Sequence, residues 1–312
     1  MVENKNFQIT VVILIGFCLV FSSLFILQSI IIIPNLESSQ KEFFNKKFDE
    51  KIQKVVILGS SQTAPLNTKY IIQKISENHD NYTVYNLSID ADNPKKRLST
   101  LQETINLKPS IILYGISLRD FTIEKNSENI FSISQIKNMF DLNFSFNPKL
   151  MSLKTIKEIV GNNAEFIEGN DKINQINTQF TELSPRHTII LNENELKKES
   201  LREGTIYFDN DDEKINSIKE IIYELKKNNI KTILFAVPLP KSQLDLIPHS
   251  EKIEFYSTLN EIANNFDIKF YNYTEKYEKL PIWSDFSHVA FNSNSIIYSD
   301  DVSKIIQGEI DS

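Results

Sequence analysis

The segment Pro281-Ile282-Trp283-Ser284-Asp285-Phe286-Ser287-His288 puts a carboxylate three residues before an imidazole. At that spacing Asp285 can hold one ring nitrogen of His288 and leave the other to take a proton from a hydroxyl. The remaining histidines lack the arrangement: Ser76, Ser184 and Leu246 stand three before His79, His187 and His249. With 41 acidic residues in 312, such a pair arises often by chance, so it counts only beside a matching nucleophile. A candidate stands in Gly59-Ser60-Ser61-Gln62-Thr63. A glycine ahead of two serines lets the backbone turn sharply and hold a hydroxyl at a strand end, although the same residues also make ordinary turns.

Other chemistries are disfavoured by composition. The single cysteine, Cys18, rules out an intramolecular disulfide and a cysteine metal site, and four histidines speak against a multi-histidine metal centre. A net charge of −7 with a pI near 5.3 argues against a general nucleic-acid binder, which needs a basic face to neutralise phosphates. No glycine-rich phosphate loop is present, which argues against a nucleotide-binding domain. The chemistry as read needs no cofactor.

Elements able to position these residues follow from hydrophobic patterning. Val55–Leu58 is an all-apolar run entering Gly59, the pattern of a buried parallel strand. Tyr82–Leu87, Ile111–Tyr114, Thr232–Val237 and Ile268–Tyr271 read as four more strands. Helices are expected around Leu66–Ile75, from Asn93-Pro94 to about Ile105, over Asp212–Lys227, over about Glu251–Asn265 and over Asn292–Gln307. Strands alternating with helices predict an α/β fold, a three-layer α/β/α arrangement with a mostly parallel sheet of about five strands. Residues 122–210 interrupt the rhythm with polar, Asn-rich sequence and one apolar helix candidate near Leu150–Val160. They read as an insertion, either a lid or a decoration without chemical role.

Ahead of the domain, Ile9–Ile33 contains no charged residue and would span roughly 37 Å as a helix. It is longer than the apolar part of a cleaved secretory signal and lacks a small-residue cleavage site, so a retained transmembrane anchor is expected over residues 9–34. Residues 1–8 then form a short tail, 35–54 a polar tether and 55–312 the domain. Lys41, Lys46, Lys47, Lys51 and Lys54 follow the run and only Lys5 precedes it, so charge alone leaves the orientation undecided.

Taken together, four short blocks resemble the SGNH/GDSL hydrolase superfamily. They are Gly59-x-Ser61, Asn86-Leu87-Ser88-Ile89, Tyr114-Gly115-Ile116-Ser117 and Asp285-x-x-His288. The resemblance covers about residues 55–121 and 231–308 and leaves the insertion unmatched. It implies an SGNH/flavodoxin-like fold, with Ser61 as nucleophile, His288 as general base and Asp285 fixing the imidazole. It also implies an oxyanion hole formed by the backbone N–H groups of Ser61 and Ala91 and the side chain of Ser117. The sequence departs from the family pattern at Ser60 (commonly Asp), Ala91 (commonly Gly) and Ser117 (commonly Asn).

The expected anchor and the Gly-Ser-Ser block look most like membrane-tethered envelope acyltransferases of the DltD and AlgJ/AlgX types. That branch implies a cell-membrane, single-pass protein with its domain on the extracytoplasmic side. The partners implied are the membrane, an acylated envelope glycan or lipid-linked sugar, and a membrane acyltransferase. The alternative is a catalytically inactive SGNH-like module that binds glycan or such an acyltransferase.

Arg119 and Asp120 could clamp a substrate, or make a salt bridge or helix cap on their loop. Trp283 and Tyr114 could form a sugar-stacking wall, or be core. Asn-x-Ser/Thr triplets at Asn81, Asn143 and Asn272 could accept glycans only outside the cell.

Overall fold

The computed structural model describes residues 43–122, 185–208 and 212–312. Five strands form one parallel sheet: β1 (Gln53–Leu58), β2 (Tyr82–Asn86), β3 (Ile111–Ile116), β4 (Lys231–Ala236) and β5 (Lys269–Asn272), in the order β2-β1-β3-β4-β5. All six residues of β3 are buried. Successive side chains point to opposite faces, so both faces of the sheet must be covered. Helices provide that cover: α1 (Thr68–Ser76), α2 (Pro94–Ser99), α3 (Leu101–Asn106), α4 (Glu193–Glu203), α5 (Asp212–Lys227), α6 (Lys241–Leu244), α7 (His249–Phe266) and α8 (Ile296–Ile310). α1 packs against α8, and α2 against α5.

Helix starts carry the expected caps. Asn67 accepts from the Tyr70 N–H at 3.1 Å, and Asn93 accepts from the Lys96 N–H at 3.0 Å with Pro94 in the first turn. The helix expected from Pro94 to about Ile105 is broken at Thr100 (φ −112°, ψ 8°) into α2 and α3. Ser99 and Thr100 donate their hydroxyls back to the carbonyls of Lys96 and Arg97, a local bond that competes with helix continuation. α4 was not anticipated, although Asn192 and Glu195 form a reciprocal capping box that was legible as Asn-x-x-Glu.

The transmembrane helix expected to precede the domain is corrected. Among the described residues no helix is long and apolar enough to cross a membrane. The longest helix among the described residues, α7, carries Glu251, Lys252, Glu254 and Glu261 and lies against the sheet with Phe255, Leu259 and Ile262 buried. Residues 9–34 lie outside the described residues. The membrane span, the membrane as partner and the single-pass cell-membrane location are therefore carried no further. The helix candidate near Leu150–Val160 also lies outside the described residues.

Candidate active site

In a parallel sheet of this order the chain leaves β1 and β3 in opposite directions, opening a crevice at their carboxyl ends. Gly59 ends β1 with φ +149°, a conformation L side chains rarely adopt. A Cβ on Gly59 would lie 2.6 Å from Thr63 Oγ1, and one on Gly115 would lie 2.3 Å from Thr63 Cγ2. The two glycines thus let Thr63 wedge between the strand ends and draw residues 60–63 into a turn, closed by the Thr63 N–H donating to the Ser60 carbonyl.

The second block holds this turn from beneath. Asn86, Ser88 and Thr63 are buried. Asn86 Nδ2 donates to the Thr63 carbonyl at 2.9 Å, the Ser88 hydroxyl donates to Asn86 Oδ1, and the Thr63 and Ser88 hydroxyls are paired. Ser61 itself stays partly exposed.

Across the crevice, Trp283 and Val289 form an antiparallel bridge, and the Ser284 N–H donates to the His288 carbonyl at 2.9 Å. Buried Trp283 and Val289 anchor this hairpin in the core. At its tip Asp285 Oδ1 accepts the backbone N–H groups of Ser287 (2.8 Å) and His288 (2.9 Å), and the Asp285 carboxylate meets His288 Nδ1 at 2.8 Å. Burial acts most strongly on Asp285 and pushes its pKa up. The hydrogen bond and charge of His288, with the two backbone donors, outweigh it and bring the group down to about 2. With Nδ1–H donating to Asp285, Nε2 carries the lone pair and meets Ser61 Oγ at 2.9 Å. Gln62 Nε2 donates to the Ser287 carbonyl at 3.1 Å, tying the two loops together.

Ser61, Asp285 and His288 are therefore brought together. Ala91 lies beyond β2 with φ +52°, so the backbone takes the left-handed form with an alanine in place. Ser117 is buried: its hydroxyl accepts from the Arg119 N–H at 3.0 Å, and its own N–H donates to Asp120 Oδ2 at 2.7 Å. Burial lifts the Asp120 carboxyl to about 7 and Asp92 adds to the rise. The bonds from Ser117 and Ser60 and the charge of Arg119 work in the opposite direction. Trp283 is 1% exposed and belongs to the core, as does Tyr114 at 2%. Arg119 reaches Glu203, Ser287 and the face of Phe286.

Two features were missed by sequence reading. Arg97, 2% exposed, donates from Nε to Asp92 Oδ2 at 2.7 Å and from Nη2 to the carbonyls of Leu87 (3.1 Å) and Gly59 (3.3 Å). It locks the ends of β1 and β2 to the loop carrying Ala91. The His187 ring lies 5.4 Å from the His288 ring in an edge-on arrangement. No local pattern announces either contact. His187, Asp285 and His288 each offer a ligand atom within 4.8 Å of the others. The Asp285 carboxylate accepts from His288 Nδ1 and two backbone N–H groups.

No family model and no curated protein matches the chain. Among solved structures it is similar to a GDSL-like lipase from Bacteroides thetaiotaomicron, at 12% identity over 88% of this chain and 98% of that one, with TM-score 0.42. It is also similar to a psychrotrophic esterase from Pseudoalteromonas (12%, 83% and 100%, 0.43). A third is an acetylxylan esterase from Geobacillus stearothermophilus (12%, 81% and 95%, 0.41). At these identities and scores the likeness assigns no family, and it does not single out the tethered envelope-acyltransferase branch. At such scores it carries no argument about chemistry, which follows from the distances in the site itself.

Proposed function

We propose that this chain is a serine esterase or O-acyltransferase. The observation that carries the reading is the Ser61–His288–Asp285 chain of hydrogen bonds, 2.9 Å and 2.8 Å long, at the carboxyl ends of a parallel sheet. Ser61 Oγ attacks an acyl carbonyl carbon while His288 Nε2 takes its proton. The tetrahedral intermediate collapses, the leaving alcohol receives that proton, and the acyl group remains on Ser61. Water or an acceptor hydroxyl then attacks the acyl carbon as His288 Nε2 takes its proton, and collapse breaks the acyl–Oγ bond and returns that proton to Ser61. Asp285 keeps Nδ1 protonated and stabilises the imidazolium. The backbone N–H groups of Ser61 and Ala91 are assigned to the oxyanion. The substrate class that best suits the four-block resemblance is an O-acylated glycan.

A second reading, a glycan-binding module without turnover, draws on Ser117. Its hydroxyl accepts the Arg119 N–H and reaches less far than the Asn amide the family commonly has there, and one missing oxyanion donor costs about 10²–10³ in rate. Hydrolysis of p-nitrophenyl acetate and release of acetate from acetylated sugars decide between the two. Turnover that disappears in Ser61→Ala supports the enzyme. Binding of the sugar with no turnover in folded wild-type protein supports the module.

A further inference from the structure

Arg119 follows β3 in the short 3-10 turn Leu118–Phe121, yet its side chain serves the opposite loop. Nη1 donates to Ser287 Oγ at 3.2 Å, and the guanidinium carbon lies 4.8 Å from the Phe286 ring centroid. Nη2 pairs with Glu203 Oε1 at 2.6 Å, at the end of α4. Ser287 is 1% exposed, and its Oγ lies 3.3 Å from Asp285 Oδ1 and 3.1 Å from His288 Nδ1. A serine hydroxyl carries one proton. With an Arg119 N–H occupying an oxygen lone pair, that proton is directed to Asp285 Oδ1.

We propose that Arg119 is a positioning residue for the Asp285–His288 pair, acting through the Ser287 hydroxyl, with Glu203 setting how much of its charge the pair feels. The proposal rests on the serine-enzyme reading above. The contact over the Phe286 ring and the fork onto Ser287 and Glu203 fix the guanidinium in a way a lysine cannot reproduce. The groups facing His288 are Asp285, Ser61, Ser287 and the His187 ring. Those facing Arg119 are Ser287, Phe286, Glu203 and, through its field, Asp120. The guanidinium charge lies on the far side of Ser287 from the imidazole, and Glu203 pairs with it. Residues 187–204 add to the grip on the same hairpin. The Leu191 N–H donates to the Trp283 carbonyl at 2.9 Å, and the Phe291 N–H donates to the His187 carbonyl at 2.7 Å.

The test is the pH dependence of the rate at which a fluorophosphonate modifies Ser61 in the full-length protein. Arg119→Met is expected to slow labelling about tenfold or more, because the imidazole loses its aim. It should also move the acid limb to higher pH by roughly 0.3–1 unit. Glu203→Gln leaves the Arg119–Ser287 bond in place and should move the limb to lower pH, so it remains informative even where Arg119→Met fails to fold. Arg119→Lys should leave the limb near its wild-type position while recovering only part of the rate. Limbs that stay fixed in Arg119→Met and Glu203→Gln, or shift in the same direction, overturn the proposal. Folded wild-type protein that does not label at all overturns the serine-enzyme reading itself, a separate result.

Discussion

His288 can act as a base toward Ser61 only while Nε2 is unprotonated and aimed at the hydroxyl, and Asp285 secures both conditions. Asp285→Asn should therefore fold with near-native structure and lose labelling at Ser61 by roughly 10²–10⁴. Stability should change in a defined pH window. The folded group titrates near 2, below its ordinary value of 3.8, so its ionised form stabilises the fold above about 4 and that contribution is lost as pH falls toward 2. Chemical denaturation should find Asp285→Asn less stable than wild type at pH 6 and closely matched near pH 2. The meeting of Ser61, Asp285 and His288 was legible because the Asp-x-x-His spacing is local and Ser61 stands two residues after a strand-ending glycine. The roles of Arg119 and His187 were not, because each acts on a partner brought close by the fold, Arg119 on Ser287 and His187 on the ring of His288.

Elements hold these side chains through a few crowded contacts. Gly115 sits where any Cβ would strike Thr63 and the Phe235 ring, so Gly115→Ala should displace the turn carrying Ser61. A cost of about 1–3 kcal/mol, with slowed labelling at native temperature, is the expected outcome by denaturation and probe kinetics. Arg97→Met removes the buried partner of Asp92 and the clamp on the Gly59 and Leu87 carbonyls. It should lower stability by about 3–5 kcal/mol in urea unfolding. Strands β1, β3 and β4 were readable as apolar runs bounded by Gly59, Pro109 and Pro238, while β2 and β5 lack such boundaries and were readable from their aromatic and β-branched residues. The break at Thr100 was less readable, since Asn93-Pro94 announces a helix start and the hydroxyl bonds that interrupt the helix depend on rotamers. Helix α4 carried its signal in Asn192 and Glu195, hidden in a polar stretch that has little helical periodicity.

At the scale of the whole molecule, alternation of strands and helices was enough to foresee a parallel sheet, while the crevice at the ends of β1 and β3 follows from the strand order, which alternation alone does not give. Hydropathy of the first 34 residues led to the expected anchor, and the described helices contain no such span. Burial also leaves one global signature. Asp120 titrates near 7 in the fold against an ordinary 3.8, so the folded state holds a proton that the unfolded chain has released between those values. Stability from this group is highest below about 4 and falls as pH rises toward 7. Asp120→Asn should accordingly raise Tm more at pH 8 than at pH 5, and an equal change at both would show that the carboxyl stays ionised throughout.

The most direct test of the central claim is the reaction of folded, full-length protein with a fluorophosphonate, followed by mass spectrometry of the modified peptide. The account predicts one adduct, on Ser61, absent in Ser61→Ala and strongly reduced in His288→Ala. An unmodified Ser61 in protein that is otherwise folded, or an equal adduct in His288→Ala, would contradict it.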